Sequence, residues 1–254
     1  MNVLFVPTLG LDLSLLERLA ASVDFPIRSK VAFNNGEPGA LDSFRDAHPD
    51  WQVKESAFGN LGVAGSWNFC AKMFPEEKSW LLMNDDAYFL PGYLEKICQC
   101  ARKHYEQPII YLNNSQAYYC FAWTANGRRI IGDFDENFWP AYYEDCDYKV
   151  RLRLKGYNGF VYALQADAPL PHGKQRTGGV NYSALLQGCG LLNRSYWFTK
   201  WGNQDFHGTS GYETPYKDQR LTVDQWVWKP EERETRRKIW DAWMSLPNPS
   251  IYDT

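Results

Sequence analysis

The chain has 254 residues, of which 44% are hydrophobic and 22% charged, an ordinary balance for a globular protein that buries a substantial core. Its net charge of −3 argues against a partner held through a phosphate backbone, so nucleic acid is not an expected ligand. Aromatic residues make up 16% of the chain, and they suit stacking against sugar rings as well as an ordinary core.

No targeting or membrane-spanning segment is predicted. The first 12 residues form a short apolar run without a basic region before it, which is typical of a first strand and not of a signal peptide. No apolar stretch approaches the roughly 18 residues that a membrane span needs. The six cysteines include no CxxC pair, which favours free thiols in a reducing compartment. We therefore expect a cytoplasmic protein.

Short apolar runs alternate with helical patterns through the first 112 residues. Strands are predicted over 2–6, 29–33, 51–55, 79–83 and 109–112. Helices are predicted over 12–21, 40–47, 63–73 and 91–104, the first capped by Asp12 and the last starting at Pro91. This alternation predicts an α/β fold with a mostly parallel sheet and helices on both faces. The pattern is less regular after Tyr118, until an amphipathic helix over 231–244.

Polar turns directly follow three of these strands. They are Pro7-Thr8, Asn34-Asn35-Gly36 and Asn84-Asp85-Asp86. Parallel sheets bind ligands beyond the carboxyl ends of their strands, so we expect the three turns to meet along one edge.

Asp85 and Asp86 are adjacent carboxylates at the end of a buried strand. Their repulsion and loss of hydration carry a cost that a divalent cation bound to diphosphate oxygens would offset. In a purely structural alternative, the pair caps the turn before the helix at Pro91.

A second acidic cluster, 144–147, starts a predicted helix, where the helix dipole favours negative charge. Asp145 and Asp147 are two positions apart and therefore face different directions. Glu144, Asp147 and Arg151 have the spacing of a ladder of ion pairs along the helix. Asp145 is then the carboxylate left to face a cleft.

The segment 171–179 is rich in glycine and basic residues, which suits a diphosphate. It contains His172, Lys174 and Arg176. A lone histidine is usually structural, but imidazole beside carboxylates is also an acceptable ligand set for Mn²⁺.

In order and spacing, these motifs resemble those of family-2-type glycosyltransferases with the GT-A fold. The resemblance covers about residues 1–205 and rests on the following segments: 6–8, 34–36, 60–68, 84–86, 91–92, 134–136, 144–147, 155–157, His172 and 200–202. It implies a Rossmann-like, nucleotide-diphospho-sugar transferase domain over 1–205. Residues 1–112 would bind the nucleotide sugar, 113–205 would face the acceptor, and 206–254 would form a helical C-terminal extension packed on the same domain.

The resemblance also implies roles for single residues. Asp86 takes the place of the metal ligand in the DxD motif, with Asn84 where the first aspartate usually stands. His172 takes the place of a second metal ligand, and Asp145 that of the catalytic base. The implied nucleotide-sugar contacts are Pro7, Thr8, Asn34, Asn35, Asn68, Asn84, Asp85 and Lys174. The acid usual in the second turn is absent, because the chain has two asparagines there.

The implied activity is that of an inverting hexosyl- or pentosyltransferase in carbohydrate biosynthesis. It would use Mn²⁺ or Mg²⁺ and a UDP-, dTDP- or GDP-sugar, and its acceptor would be a hydroxyl of a glycan or glycoconjugate. One alternative is a sugar-nucleotide nucleotidyltransferase, although residues 7–12 lack the glycine-rich basic loop of such enzymes. Another is a non-catalytic carbohydrate-binding module, which leaves Asp86, Asp145 and His172 unexplained as a set.

The C-terminal helix has an apolar and a basic side. Its apolar residues are Ile239, Trp240, Trp243 and Leu246, and its basic residues are Arg233, Arg236, Arg237 and Lys238. Such a helix packs on its own domain, forms a homodimer or contacts a membrane surface, and the sequence leaves these alternatives open.

Overall fold

A computed structural model describes residues 1–57, 59–112, 118–157, 161–164 and 180–201, together with five positions between 234 and 242. For residues 180–188 it describes the helical backbone alone. The chain divides into two compact units. The first comprises Met1–Leu61, Gly65–Asp133 and Asn158–Gly173. The second comprises Gly62–Ala64, Phe134–Tyr157 and Lys174–Thr254.

The first unit contains a seven-stranded sheet. Its strands are β1 Val3–Thr8, β2 Ser29–Asn34, β3 Gln52–Glu55, β4 Ser79–Met83, β5 Ile109–Tyr111, β6 Cys120–Thr124 and β7 Val161–Tyr162. They lie in the order β3-β2-β1-β4-β6-β5-β7, and β6 is antiparallel to both of its neighbours, while the other pairs are parallel. The predicted α/β fold with a mostly parallel sheet is confirmed.

Seven helices lie between residues 13 and 201 in the described part of the chain. They are α1 Leu13–Ala21, α2 Asp42–Ala47, α3 Gly62–Met73, α4 Tyr93–Lys103, α5 Ala125–Ile131, α6 Glu144–Leu154 and α7 Val180–Trp201. The predicted cap of α1 is confirmed, since the Asp12 side chain accepts from the Ser14 backbone N–H at 3.0 Å. Placing Pro91 in the first turn of α4 was wrong. Gly92 adopts a left-handed conformation (φ 75°) as the N-cap, and the helix begins only at Tyr93.

The strands before the first two polar turns are longer than the sequence predicts. β1 continues through Pro7 and Thr8, and β2 continues through Asn34. The reason is register, because Pro7 pairs with Phe33 and Thr8 with Asn34 in the parallel ladder. The third turn does start where predicted, as β4 ends at Met83.

The core of the first unit forms around the central strands. All five residues of β4 are buried, and α1 packs its buried residues Leu16 and Leu19 into the same cluster as Leu4 and Val6 of β1.

All six cysteines are free thiols, as their spacing predicts. In the part of the chain that the structure describes, no helix is long and apolar enough to cross a membrane.

The second unit contains a buried network of charges between the segment at Asp135 and helices α6 and α7. The Lys200 ammonium contacts a carboxylate oxygen of Asp135 at 2.8 Å and one of Asp147 at 2.5 Å, and all three side chains are fully buried. Arg151 pairs with Asp147 at 2.8 Å, and the Trp201 indole N–H donates to Asp147 at 2.9 Å. The predicted pairing of Asp147 with Arg151 is confirmed.

Replacing Lys200 by methionine should lower the free energy of unfolding by about 3–5 kcal/mol, because two buried carboxylates lose their shared cation. The equivalent change at Lys149, whose 3.6 Å contact with Asp145 is partly exposed, should cost less than about 1 kcal/mol. Urea unfolding of both variants measures the difference. Equal effects would show that the buried network does not stabilise the unit.

The network also predicts a pH dependence. Burial alone would raise the pKa of Asp135, but Lys200 holds this pKa below the usual 3.8. The stabilisation is therefore complete above the unfolded-state pKa and is lost as the pH falls through the lower folded-state value.

The predicted C-terminal helix lies mostly outside the described residues. Five of its positions are helical and exposed: Glu234, Thr235, Lys238, Asp241 and Ala242. Lys238 pairs with Glu234 at 3.4 Å, one helical turn away. The apolar residues of this helix are not among those described, so its packing on the domain, a homodimer and a membrane contact stay predictions. The domain boundary at residue 205 also stays a prediction.

Candidate functional site

The strand order of the first unit creates a switch point at β1. Chain order runs outward from β1 through β2 to β3 on one side and continues at β4 on the other. In open α/β sheets, ligands bind beyond the carboxyl ends of the strands at such a point. Two side chains join these ends directly, since Thr8 Oγ1 donates a hydrogen bond of 2.5 Å to the Asp85 carboxylate. The turns after β1 and β4 therefore meet, as predicted.

The turn after β2 reaches the same edge. The Asn35 backbone N–H donates to the Thr8 carbonyl at 2.7 Å. A Cβ on Gly36 would lie 2.0 Å from the Leu9 carbonyl oxygen, so only glycine allows the two loops to approach this closely. All three predicted turns thus lie on one edge of the sheet.

The asparagines of the second turn organise their own loop. Asn34 donates to the Glu37 carbonyl at 2.8 Å, and its side-chain oxygen accepts from the Gly36 backbone N–H. Asn35 donates to the Ser66 hydroxyl at 2.7 Å. Asn68, two residues further along α3, is buried as well. The nucleotide contacts assigned to these residues stay predictions.

Asp85 is a partly buried carboxyl group at the end of β4. Burial raises its pKa to about 6, against the lowering effect of the Thr8 hydrogen bond, and the charge of Asp86 raises it further. Its side chain links β4 to β1, a role that the sequence did not reveal. Asp86 is the next residue, and its backbone carbonyl accepts from the Arg18 guanidinium at 3.3 Å. Arg18 also lies over the Tyr88 ring, 4.4 Å from its centroid.

Asp85→Asn should be at least as stable as the wild type at pH 8, because the amide cannot acquire a charge at this partly buried position. The folded-state pKa of about 6 exceeds the usual 3.8. The wild type should therefore lose stability as the pH rises through this interval, whereas the variant should not. Urea unfolding at pH 4.5, 6 and 8 measures both curves. In the control, Thr8→Val, the carboxylate loses its donor, and we expect reduced stability at pH 8. A large loss of stability in Asp85→Asn at pH 8 would contradict this account.

The donor chemistry at this edge fits a hard divalent cation. Asp86 supplies a carboxylate oxygen, the ligand type that Mn²⁺ and Mg²⁺ accept. Among the described residues, no three His, Cys, Asp or Glu side chains converge on one point. His172 and Lys174 lie outside the described residues.

The candidate base is on the second unit. Asp145 lies in the first turn of α6, and its carboxylate is 30% exposed and 3.6 Å from Lys149. Asp147 differs, because its side chain is fully buried and both of its oxygens bind other side chains. Thus the structure brings Thr8, Asn35 and Asp85 together in the first unit and leaves Asp145 with an accessible carboxylate in the second.

Glu144 does not join the predicted ladder of ion pairs. Its carboxyl group is buried, and among the described residues its Oε2 has no hydrogen-bond partner. Burial raises its pKa well above the ordinary value, and the neighbouring Asp145 charge adds to this. The expectation failed because spacing along a helix does not reveal which side is covered by another element.

Known proteins match this chain in structure but not in sequence. No protein-family model matches the sequence, and no curated protein matches it either. Solved structures do match. The mannosyltransferase PcManGT from Pyrobaculum calidifontis, in complex with GDP-Man and Mn²⁺, aligns over 98% of this chain and 71% of its own, with 13% identity and a TM-score of 0.55. The chain has the GT-A fold.

Two further structures support this assignment of the GT-A fold. Residues 1–349 of TarS from S. aureus align over 98% of this chain and 73% of their own, with 12% identity and a TM-score of 0.51. Glucosyl-3-phosphoglycerate synthase from Mycobacterium tuberculosis, in complex with Mn²⁺, UDP and glucosyl-3-phosphoglycerate, aligns over 75% and 80%, with 11% identity and a TM-score of 0.51. At these identities the similarity establishes the fold, while the named ligands belong to those proteins.

Proposed function

We propose that this GT-A chain is an inverting, metal-dependent glycosyltransferase. It would transfer a sugar from a nucleotide-diphosphate donor to a hydroxyl of a glycan or similar acceptor. The observation that carries the proposal is the Thr8–Asp85 contact at the switch point, since Asp86 directly follows it at the edge where α/β sheets bind ligands. The GT-A fold, with neighbours solved in complex with Mn²⁺ and nucleotides, supports it.

On the donor side, Asp86 and His172 would hold the cation, with Lys174 beside the diphosphate. Pro7, Thr8, Asn34, Asn35, Asn68, Asn84 and Asp85 would surround the nucleotide sugar. A bound Mn²⁺ or Mg²⁺ would offset the charge that develops on the diphosphate leaving group. Arg18 would keep the Asp86 backbone in place through the bond to its carbonyl.

On the acceptor side, Asp145 would act as the general base. It would take the proton of the acceptor hydroxyl while that oxygen attacks the anomeric carbon, and the bond to the diphosphate oxygen would break on the opposite face. Such a base must be ionised and within hydrogen-bond reach of the hydroxyl. The burial of Asp147, together with its bonds to Arg151, Lys200 and Trp201, favours Asp145 over it for this role.

We expect one class of nucleotide sugar to raise the melting temperature in the presence of Mn²⁺, and to do so much less after chelation with EDTA. A ligand at 100 times its Kd stabilises the native state by about 2.7 kcal/mol. A thermal-shift series with UDP-, dTDP- and GDP-sugars measures the effect, and the free nucleoside diphosphates are the controls for base preference.

Product analysis then separates the three functional classes. A glycosyltransferase releases a nucleoside diphosphate from the sugar nucleotide, whereas a nucleotidyltransferase releases pyrophosphate from a nucleoside triphosphate and a sugar phosphate. A non-catalytic carbohydrate-binding module releases neither. Absence of a metal-dependent shift with all three donors would contradict the proposal.

We further propose a catalytic domain over 1–205 and a cytoplasmic location.

A further inference from the structure

The residues that lead into α6 have an unusual backbone. Tyr142 and Tyr143 both have positive φ angles, 76° and 75°. These are the two non-glycine residues in the described chain that do so. For residues with a Cβ, the left-handed region is sterically unfavourable, so two such residues in succession need support from their surroundings. They directly precede Glu144 and Asp145, the first residues of the helix.

That support comes from one buried amide on α7. The Asn193 side chain is fully buried, and its Nδ2 donates to the Ala141 carbonyl at 2.7 Å and to the Tyr142 carbonyl at 3.2 Å. These two carbonyls belong to the peptide groups on either side of Tyr142. Fixing both of them fixes the direction in which the chain enters α6.

A hydrogen bond also joins the turn at Tyr142 and Tyr143 to helix α6. The Asp147 backbone N–H donates to the Tyr143 carbonyl at 2.8 Å, and this bond forms the first turn of α6 around Asp145. The Asp147 side chain is held by Lys200, also on α7. The backbone of Asp145 is therefore restrained from both sides by residues of α7, while its carboxylate lies 3.6 Å from the Lys149 ammonium of its own helix.

We propose that Asn193 is a positioning residue for Asp145. It holds the left-handed turn at Tyr142 and Tyr143 and thereby sets where the Asp145 carboxylate points. This inference rests on the proposed function, because it takes Asp145 as the base. Strain of this kind is characteristic of positions where geometry matters for activity, and the buried amide supplies the means by which this turn keeps it.

The test compares substitutions at Asn193 with a glycine rescue. Asn193→Leu fills a similar volume but donates no hydrogen bond, and Asn193→Ala is a second variant in case leucine does not fit. We expect kcat to fall by up to about 10²-fold with an unchanged KM for the nucleotide sugar, since a small misplacement of a catalytic group has effects of this size. Hydrogen exchange of the Asp147 amide should become faster, because its acceptor lies in the turn.

Glycine occupies the left-handed region without the steric cost of a Cβ. Adding Tyr142→Gly to either Asn193 variant should therefore restore much of the lost kcat, and Tyr142→Gly alone is the reference with which the double variants are compared. Ser195→Ala, an exposed change two residues along α7, is the matched control and should alter neither the rate nor the exchange.

Rescue by glycine would support the inference, because a residue needed only for folding would not be replaced in this way. If the wild type is active and the Asn193 variants keep its kcat, the role of Asn193 is wrong and the proposed function stands. The same holds if kcat is lost and glycine does not restore it. A wild type that transfers no sugar from any donor would overturn the proposed function and, with it, the role of Asn193. Measuring wild-type transfer first keeps the two failures distinct.

Discussion

Asp86→Ala should abolish sugar transfer and Mn²⁺-dependent nucleotide binding while leaving the fold intact. The alanine side chain offers the cation no oxygen, so a ligand of the type that Mn²⁺ and Mg²⁺ prefer is lost. The backbone should be unaffected, because the Arg18 contact with residue 86 is to its carbonyl and persists in the variant. Calorimetric titration with nucleotide, with and without Mn²⁺, measures the loss.

The matched control for Asp86→Ala is Asp46→Ala, which removes one exposed carboxylate from α2 of the same unit. It has the same effect on net charge and should retain both binding and transfer. Unchanged metal-dependent affinity in Asp86→Ala would rule out Asp86 as the metal ligand. Loss of nucleotide binding even without metal would indicate that the carboxylate contributes to the site in another way.

Asp145→Asn should retain donor binding but transfer sugar about 10²–10⁴-fold more slowly, the usual contribution of a general base. The amide keeps the size of the carboxylate and cannot accept the proton of the acceptor hydroxyl. Single-turnover rates, measured with donor already bound, separate this effect from changes in affinity. A rate close to that of the wild type would rule out Asp145 as the base.

Its two acidic neighbours serve as comparisons because the structure gives them different environments. Asp147→Asn should reduce stability strongly, since Lys200 and Arg151 lose the charge of their common partner. Glu144→Gln should cost less stability than Asp147→Asn, because burial raises the pKa of Glu144 and disfavours its charged form, which the amide cannot adopt. If Asp147→Asn loses the rate at normal stability while Asp145→Asn keeps it, then the base is Asp147.

Much of the first unit could be predicted because its signals are local. β4 matches the predicted range 79–83, and the turns after β1, β2 and β4 meet because parallel strands end on the same edge. β6 and α5 were missed. β6 ends at Thr124 and α5 begins at Ala125 with Thr124 as its N-cap, so no turn residue separates the strand from the helix in the sequence.

The supporting residues of the second unit could not be predicted, because their contacts join distant parts of the chain. Asn193 and Ala141 are 52 positions apart, and no motif marks either of them. The pairing of Asp147 with Arg151 was predictable because it spans only one helical turn. The burial that excludes Asp147 as an accessible base comes instead from Lys200 and Trp201, which the sequence places more than 50 positions away.

The buried network around Lys200 has a consequence for biosynthesis. Lys200 follows Asp135 by 65 positions, which a ribosome adding 5–20 residues per second covers in about 3–13 s. During that interval the carboxylates of Asp135 and Asp147 have no ammonium group to bury with them, and their hydration opposes the closure of the second unit. The second unit therefore has to complete its folding after Lys200 has left the ribosome, whereas β1 to β4 of the sheet can pair much earlier.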